Sequence, residues 1–123
     1  MLLKDFYTIL STETVSENNY SVTINLNKNH EVFKGHFPGN PVTPGVCMLQ
    51  IIKEMCQSFL NCELQLKTAS NVKFMALINP DINSRLRLEL AISFGENDEI
   101  KVKNTTFMED TVALKLSNTY IKV

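Results

Sequence analysis

Only one segment of this chain carries helical apolar spacing long enough to cover a β-sheet, and that limits the architectures open to it. Between Val46 and Leu60, the residues Met48, Leu49, Ile52, Met55, Cys56, Phe59 and Leu60 make a broad apolar face. Gln50, Lys53, Glu54 and Gln57 recur at three- and four-residue intervals and form a narrower polar stripe. The spacing predicts a helix buried on most of its sides. Pro44 stands at its start, where a missing N–H has no intrahelical partner to lose.

Most of the remaining chain alternates with a period of two. Val22, Ile24 and Leu26 are separated by Thr23 and Asn25, the pattern of a half-buried strand. Glu17, Asn18 and Asn19 read as a turn, which makes residues 6–26 a hairpin. Leu3, Phe6, Tyr7 and Leu10 fit either a helix or an extended strand. After the helix, Val72, Phe74, Ala76 and Ile78 share one parity and end at Asn79-Pro80. Leu86, Leu88, Leu90, Ile92 and Phe94 follow, then Ile100 and Val102, then Val112, Leu114 and Leu116. Turns are expected at Gly95–Asp98 and Glu109-Asp110. This back half predicts an antiparallel meander with one apolar and one wet face. A sheet with one apolar face must cover it. The expected fold is therefore α+β: a curved antiparallel sheet wrapped around one central buried helix, in one domain spanning 1–123.

Composition excludes several classes. At 123 residues the chain fits one domain, and 44% hydrophobic residues suffice for a core. Twelve basic against thirteen acidic residues give a formal charge of −1, with no basic surplus for nucleic acid. No apolar run approaches the roughly 18 residues of a membrane span. Lys4 and Asp5 interrupt the stretch a signal peptide would need. Cys47, Cys56 and Cys62 form no metal-ligand spacing, so reduced thiols in the cytoplasm and no metal are expected.

Residues 35–45, GHFPGNPVTPG, hold three of the four prolines and three of the four glycines, and so predict a loop of defined shape. With its flanks, EVFKGHFPGNPVTPGVCML at residues 31–49 closely resembles the signature of the 3-hydroxyacyl-acyl-carrier-protein dehydratases, hotdog-fold enzymes of fatty-acid synthesis. That signature runs roughly F-x-G-H-F-P-x-x-P-x-x-P-G-V, and Phe33 through Val46 fits every fixed position. Asn71-Val72-Lys73-Phe74, followed by Asn79-Pro80, is similar to a second family segment. The family's H-R-x-P-F segment is absent from the front of the chain.

The resemblance implies elimination of water from a 3-hydroxyacyl thioester, with no cofactor. His36 would take the α-proton, since imidazole is poised near neutral pH. Gly45 and Val46 would offer backbone N–H groups to the thioester carbonyl, where the helix dipole concentrates positive charge. Phe37, Pro38, Val46, Cys47, Met48 and Phe74 would line the substrate site. The family's acidic residue lies fourteen positions after the histidine, and here that residue is Gln50. An amide hydrogen-bonds a hydroxyl but does not ionise. Losing a general acid costs about 10²–10⁴-fold in rate. Glu54, one helical turn further along, is a poor substitute for it.

Other readings of these residues stand beside this one. His30, outside the motif, is expected to be an ordinary surface or strand-end residue. Cys47 near the helix start could serve a nucleophilic thioesterase, or simply pack as a small apolar residue. Met48, Phe37 and Phe74 could equally be core. Lys34, Lys67 and Lys73 could meet an acidic carrier protein, or be scattered surface charge. Expected partners are an acyl-carrier-protein or coenzyme A thioester and a second copy of the chain, as a homodimer or an oligomer of dimers. Three roles follow: a dehydratase working without the usual acid, a subunit of a heteromer whose partner brings the acid, or a non-catalytic acyl- or carrier-binding module.

Overall fold

The computed structural model describes residues 5–34 and 42–123. Strand β1 (Tyr7–Ser16) and strand β2 (Asn19–Leu26) form the expected hairpin. Its two-residue loop places Asn18 at φ 62°, a left-handed conformation that asparagine tolerates. The ambiguous front segment is thus extended from Tyr7 onward. A single helical turn, α1 (Glu31–Lys34), follows, and the long helix α2 runs from Gly45 to Leu60. Pro44 sits at its N-cap in extended conformation, and Asn61 ends it in the left-handed region. Strands β3 (Leu64–Phe74), β4 (Arg85–Phe94), β5 (Ile100–Met108) and β6 (Thr111–Lys122) complete the chain.

All six strands belong to one antiparallel sheet in the order β1-β2-β4-β5-β6-β3. Its inner face carries Val22, Ile24, Leu26, Leu86, Leu88, Leu90, Ile92, Ile100, Val102, Leu114 and Leu116, all buried. Met48, Ile51, Ile52, Met55 and Cys56 of α2 belong to the same core cluster. This is the hotdog arrangement, with one main helix as the cover for a sheet that does not close into a barrel. Inner positions of β5 and β6 also include Asn104, Thr106 and Asn118. These bond internally: Asn104 Nδ2 donates to the Glu89 carbonyl, Thr106 Oγ1 to Asn104 Oδ1, and Asn118 Nδ2 to the Tyr120 hydroxyl. Such bonds offset most of the cost of burying amides.

Three expectations need correction. The back half is a meander only through β4-β5-β6, because β3 pairs with β6 at the far edge instead of with β4. The strand placed by sequence at Val72–Ile78 starts earlier, at Leu64, and ends at Phe74. The shared parity beyond Phe74 reflects separate contacts. Ile78 is buried in a non-strand connection and accepts the Thr43 N–H through its carbonyl. Val72 and Phe74 are exposed because β3 is an edge strand. Phe94, expected on the apolar face, is exposed at the end of β4.

Candidate functional site

The start of α2 is built by Pro44 and Gly45. The Pro44 carbonyl accepts from the Cys47 and Met48 N–H groups at 3.0 and 3.3 Å. Helix geometry then leaves the N–H groups of Gly45 and Val46 without an intrahelical acceptor. The Phe74 ring, from the last residue of β3, lies directly over Gly45. A Cβ built on Gly45 would stand 2.9 Å from Phe74 Cζ and 3.2 Å from Cε2. Glycine therefore lets the ring pack directly against the helix end. Phe74 is 50% exposed and Val46 is 69% exposed, so both meet the surface at this point. Cys47 and Met48, by contrast, are buried in the core cluster. His36, Phe37 and Pro38 lie outside the described residues.

Gln50 stands on the polar stripe of α2. Its Nε2 donates to Glu54 Oε2 at 3.1 Å, and the Tyr7 hydroxyl donates to Glu54 Oε1 at 2.9 Å. The Glu54 carboxylate thus joins the helix to β1. Burial, and then the bond to Glu54, push the Tyr7 phenol above its ordinary range, so it stays a donor. Gln50 also lines an open cleft of about 390 Å³ with Lys53, Gln57, Leu64 and Gln65. This cleft follows the polar stripe toward the C-terminal end of α2, where Gln57 Oε1 accepts the Leu64 N–H at 2.9 Å. A larger hollow of about 860 Å³ lies among Asp5, Asn25, Asn27 and Asp81, and none of the described site residues lines it.

The arrangement offers two chemistries on one helix. At its start are backbone donors suited to a carbonyl or enolate oxygen. Five residues later, about 7.5 Å along the axis, stands a fixed amide. Helical side chains lean toward the N-terminus, which shortens that distance at the level of the amide. Nucleophilic chemistry at Cys47 is disfavoured, because burial raises its thiol above the usual range and holds it protonated. His30 is engaged structurally: its Nδ1 accepts the Val32 N–H at 3.1 Å, and its ring meets Phe6 edge-on. Among the described residues no group of three or more His, Cys, Asp or Glu side chains is placed to hold a metal. No helix of the described residues is long and apolar enough to cross a membrane.

Sequence reasoning treated Glu54 only as a poor replacement for an acid. Its partnership with Gln50 was legible as an i, i+4 pair on one stripe. Its partnership with Tyr7 was not, because 47 residues separate them.

Comparison with known proteins agrees with this fold. The ApeI-like family, described as ApeI dehydratase, matches residues 12–115. A 3-hydroxyacyl-[acyl-carrier-protein] dehydratase FabZ of Lactobacillus helveticus is 31% identical over 98% of this chain and 87% of its own length. Its counterpart in Legionella pneumophila (strain Corby) is 29% identical over 72% of this chain, which spans 65% of that relative. Among solved structures, the dehydratase heterocomplex ApeI:P from Xenorhabdus doucetiae superposes with a TM-score of 0.72. That match has 20% identity and covers 93% of this chain and 96% of the other.

Proposed function

This chain belongs to the ApeI-like dehydratase family, and on that premise we propose that it binds 3-hydroxyacyl thioesters and takes part in their dehydration to trans-2-enoyl thioesters. The observation that supports this reading is the start of α2, where Phe74 packs against Gly45, the Gly45 and Val46 N–H groups have no intrahelical acceptor, and Gln50 follows five residues on the same helix. In the proposed reaction the thioester oxygen lies at the Gly45 and Val46 N–H groups. His36, by its place in the motif, removes the α-proton. The electron pair forms the C2–C3 double bond as the C3–O bond breaks, and the departing hydroxide takes up a proton. Phe37, Pro38 and Phe74, with Val46, are assigned to the acyl and pantetheine walls. Cys47 and Met48 act from beneath by shaping the helix start.

Gln50 holds the 3-hydroxyl but has no proton to give. Water, or a carboxyl from another chain, must supply it. The second alternative is supported by the exposed apolar residues of edge strand β3 and its connection, Leu66, Val72, Met75 and Leu77. An open apolar edge invites a second protomer. Such a partner would also wall the open cleft beside Gln50. The chain is accordingly proposed to work as a dimer, with itself or with an acid-bearing hotdog subunit, on carrier-protein or coenzyme A thioesters in acyl-chain synthesis. Incubating the protein with 3-hydroxyacyl and enoyl thioesters of both carriers tests this. Interconversion, alone or with an acid-bearing partner, supports the reading. Absence of both turnover and thioester binding refutes it.

A further inference from the structure

We propose that three lysines on the outer face of the sheet, Lys73, Lys103 and Lys115, form a binding site for a small phosphate-bearing anion, separate from the start of α2. They line one open hollow of about 300 Å³ together with Asn71, Thr105 and Ser117. Among the described residues no carboxylate lines it, and none of the three lysines has an ion-pair partner. Charge elsewhere on the sheet is balanced in pairs, Lys67 with Glu99 and Arg87 with Glu89. The surplus is local, because the whole chain has thirteen acidic residues against twelve basic ones.

Strand register brings the lysines together. Lys73 of β3 stands directly opposite Lys115 of β6, and Lys115 stands opposite Thr105 of β5. Lys103 lies two residues before Thr105 on the same strand and so shares its face. The Lys73–Lys115 pairing depends on a bulge. Ser70 pairs with Ser117 and Lys73 with Lys115, so three steps along β3 match two along β6. Asn71, at φ 52°, lies within that irregular stretch. Without the extra residue, Val72 would face Lys115 and Lys73 would turn to the inner face. The same bulge brings Phe74 inward over Gly45. Like charges placed opposite one another are destabilising, and an anion between them removes that cost. Paired side chains on neighbouring strands start about 5 Å apart, within reach of the oxygens of one diphosphate. A docked protein would spread its carboxylates over roughly 800 Å², whereas these ammonium groups converge on one hollow. The hydroxyls of Thr105 and Ser117 and the amide of Asn71 add neutral donors suited to phosphate oxygens.

The test titrates the protein with inorganic pyrophosphate, with ADP and with acetate at low ionic strength, following backbone amide resonances by NMR. Pyrophosphate is expected to shift Lys103, Thr105, Lys115 and Ser117 saturably, with a Kd of about 1 mM or tighter. Acetate, with one charge, should bind at least about tenfold more weakly. ADP binding as tightly as pyrophosphate assigns the phosphate to a nucleotide, and weaker ADP binding assigns it to the inorganic anion. Lys103→Gln and Lys115→Gln should each weaken pyrophosphate binding at least about threefold, and these exposed positions leave the fold intact. Lys67→Gln removes the same charge outside the hollow and should leave the affinity unchanged. Raising the ionic strength to about 0.15 M should weaken binding severalfold. Absence of saturable shifts at the hollow, equal affinity for acetate, or equal losses in all three variants overturns the inference. None of these results bears on the thioester reading, because neither Gly45 nor Gln50 lines the hollow.

Discussion

Replacing Gln50 by glutamate should make the Glu54 carboxylate the neighbour that keeps a new acid protonated. The exchange is nearly isosteric, and it replaces a donor 3.1 Å from Glu54 Oε2 by an oxygen. Two ionised carboxylates at that separation repel by about 5 kcal/mol at an effective dielectric near 20. Both side chains are half-buried and can turn apart. At about 6 Å the repulsion falls to about 3 kcal/mol, still roughly a hundredfold in proton affinity. The pair should then share one proton up to about pH 6 and titrate as a unit. Dehydration by Gln50→Glu should rise about 10²-fold over wild type, within the usual range for a general acid. Stopped-flow absorbance of enoyl thioester formation gives the rate, and the same trace across pH gives the profile. In Gln50→Glu/Glu54→Gln the new acid loses its charged neighbour, so most of the gain should vanish at pH 7 and return at lower pH. A folded, thioester-binding Gln50→Glu with no gain, or an equal gain at every pH without Glu54, would refute the reasoning.

Further outcomes are expected elsewhere. Gly45→Ala places a methyl 2.9 Å from the Phe74 ring; the half-exposed ring can yield, so melting should shift little while thioester affinity falls at least tenfold by calorimetry. Burial pushes the Cys56 thiol and the Tyr120 phenol up to about 12, and groups raised on folding stabilise fully below their unfolded values and lose that contribution as pH climbs. The melting temperature should therefore fall from about pH 9 upward, and a flat profile to pH 11 would contradict the burial argument. Leu66→Lys with Val72→Lys charges the exposed apolar positions of β3 and should shift sedimentation toward monomer at micromolar concentration.

Much of the architecture was legible because local pattern and tertiary role agreed. Val22, Ile24 and Leu26 alternate and lie on the inner face, as do Leu86 through Ile92. Pro44 and the apolar face after it marked α2. The position of β3 was not legible, since pairing partners at a sheet edge are set by the path of the chain and not by alternation. Its apolar side chains after Leu64 are exposed in the protomer, so parity gave no guide to its limits. The inner residues Asn104, Thr106 and Asn118 break the apolar pattern because Thr106 bonds Asn104, Asn104 bonds the Glu89 carbonyl and Asn118 bonds the Tyr120 hydroxyl, pairings that sequence spacing cannot display. At the site, Gly45 and Gln50 were found through the motif. That Tyr7 reaches from β1 to the Glu54 carboxylate that Gln50 bonds was not legible, because 47 residues separate Tyr7 from Glu54.

The central claim, that this chain acts in the dehydration of 3-hydroxyacyl thioesters, is tested most directly by mass-spectrometric equilibration of an enoyl thioester with its 3-hydroxy form in ¹⁸O water. The account predicts slow ¹⁸O incorporation at C3 by the wild-type protein, about 10²–10⁴-fold below an acid-bearing relative, and none above background by His36→Ala. Incorporation that persists unchanged in His36→Ala, or none from wild-type protein with or without an acid-bearing hotdog partner, would contradict it.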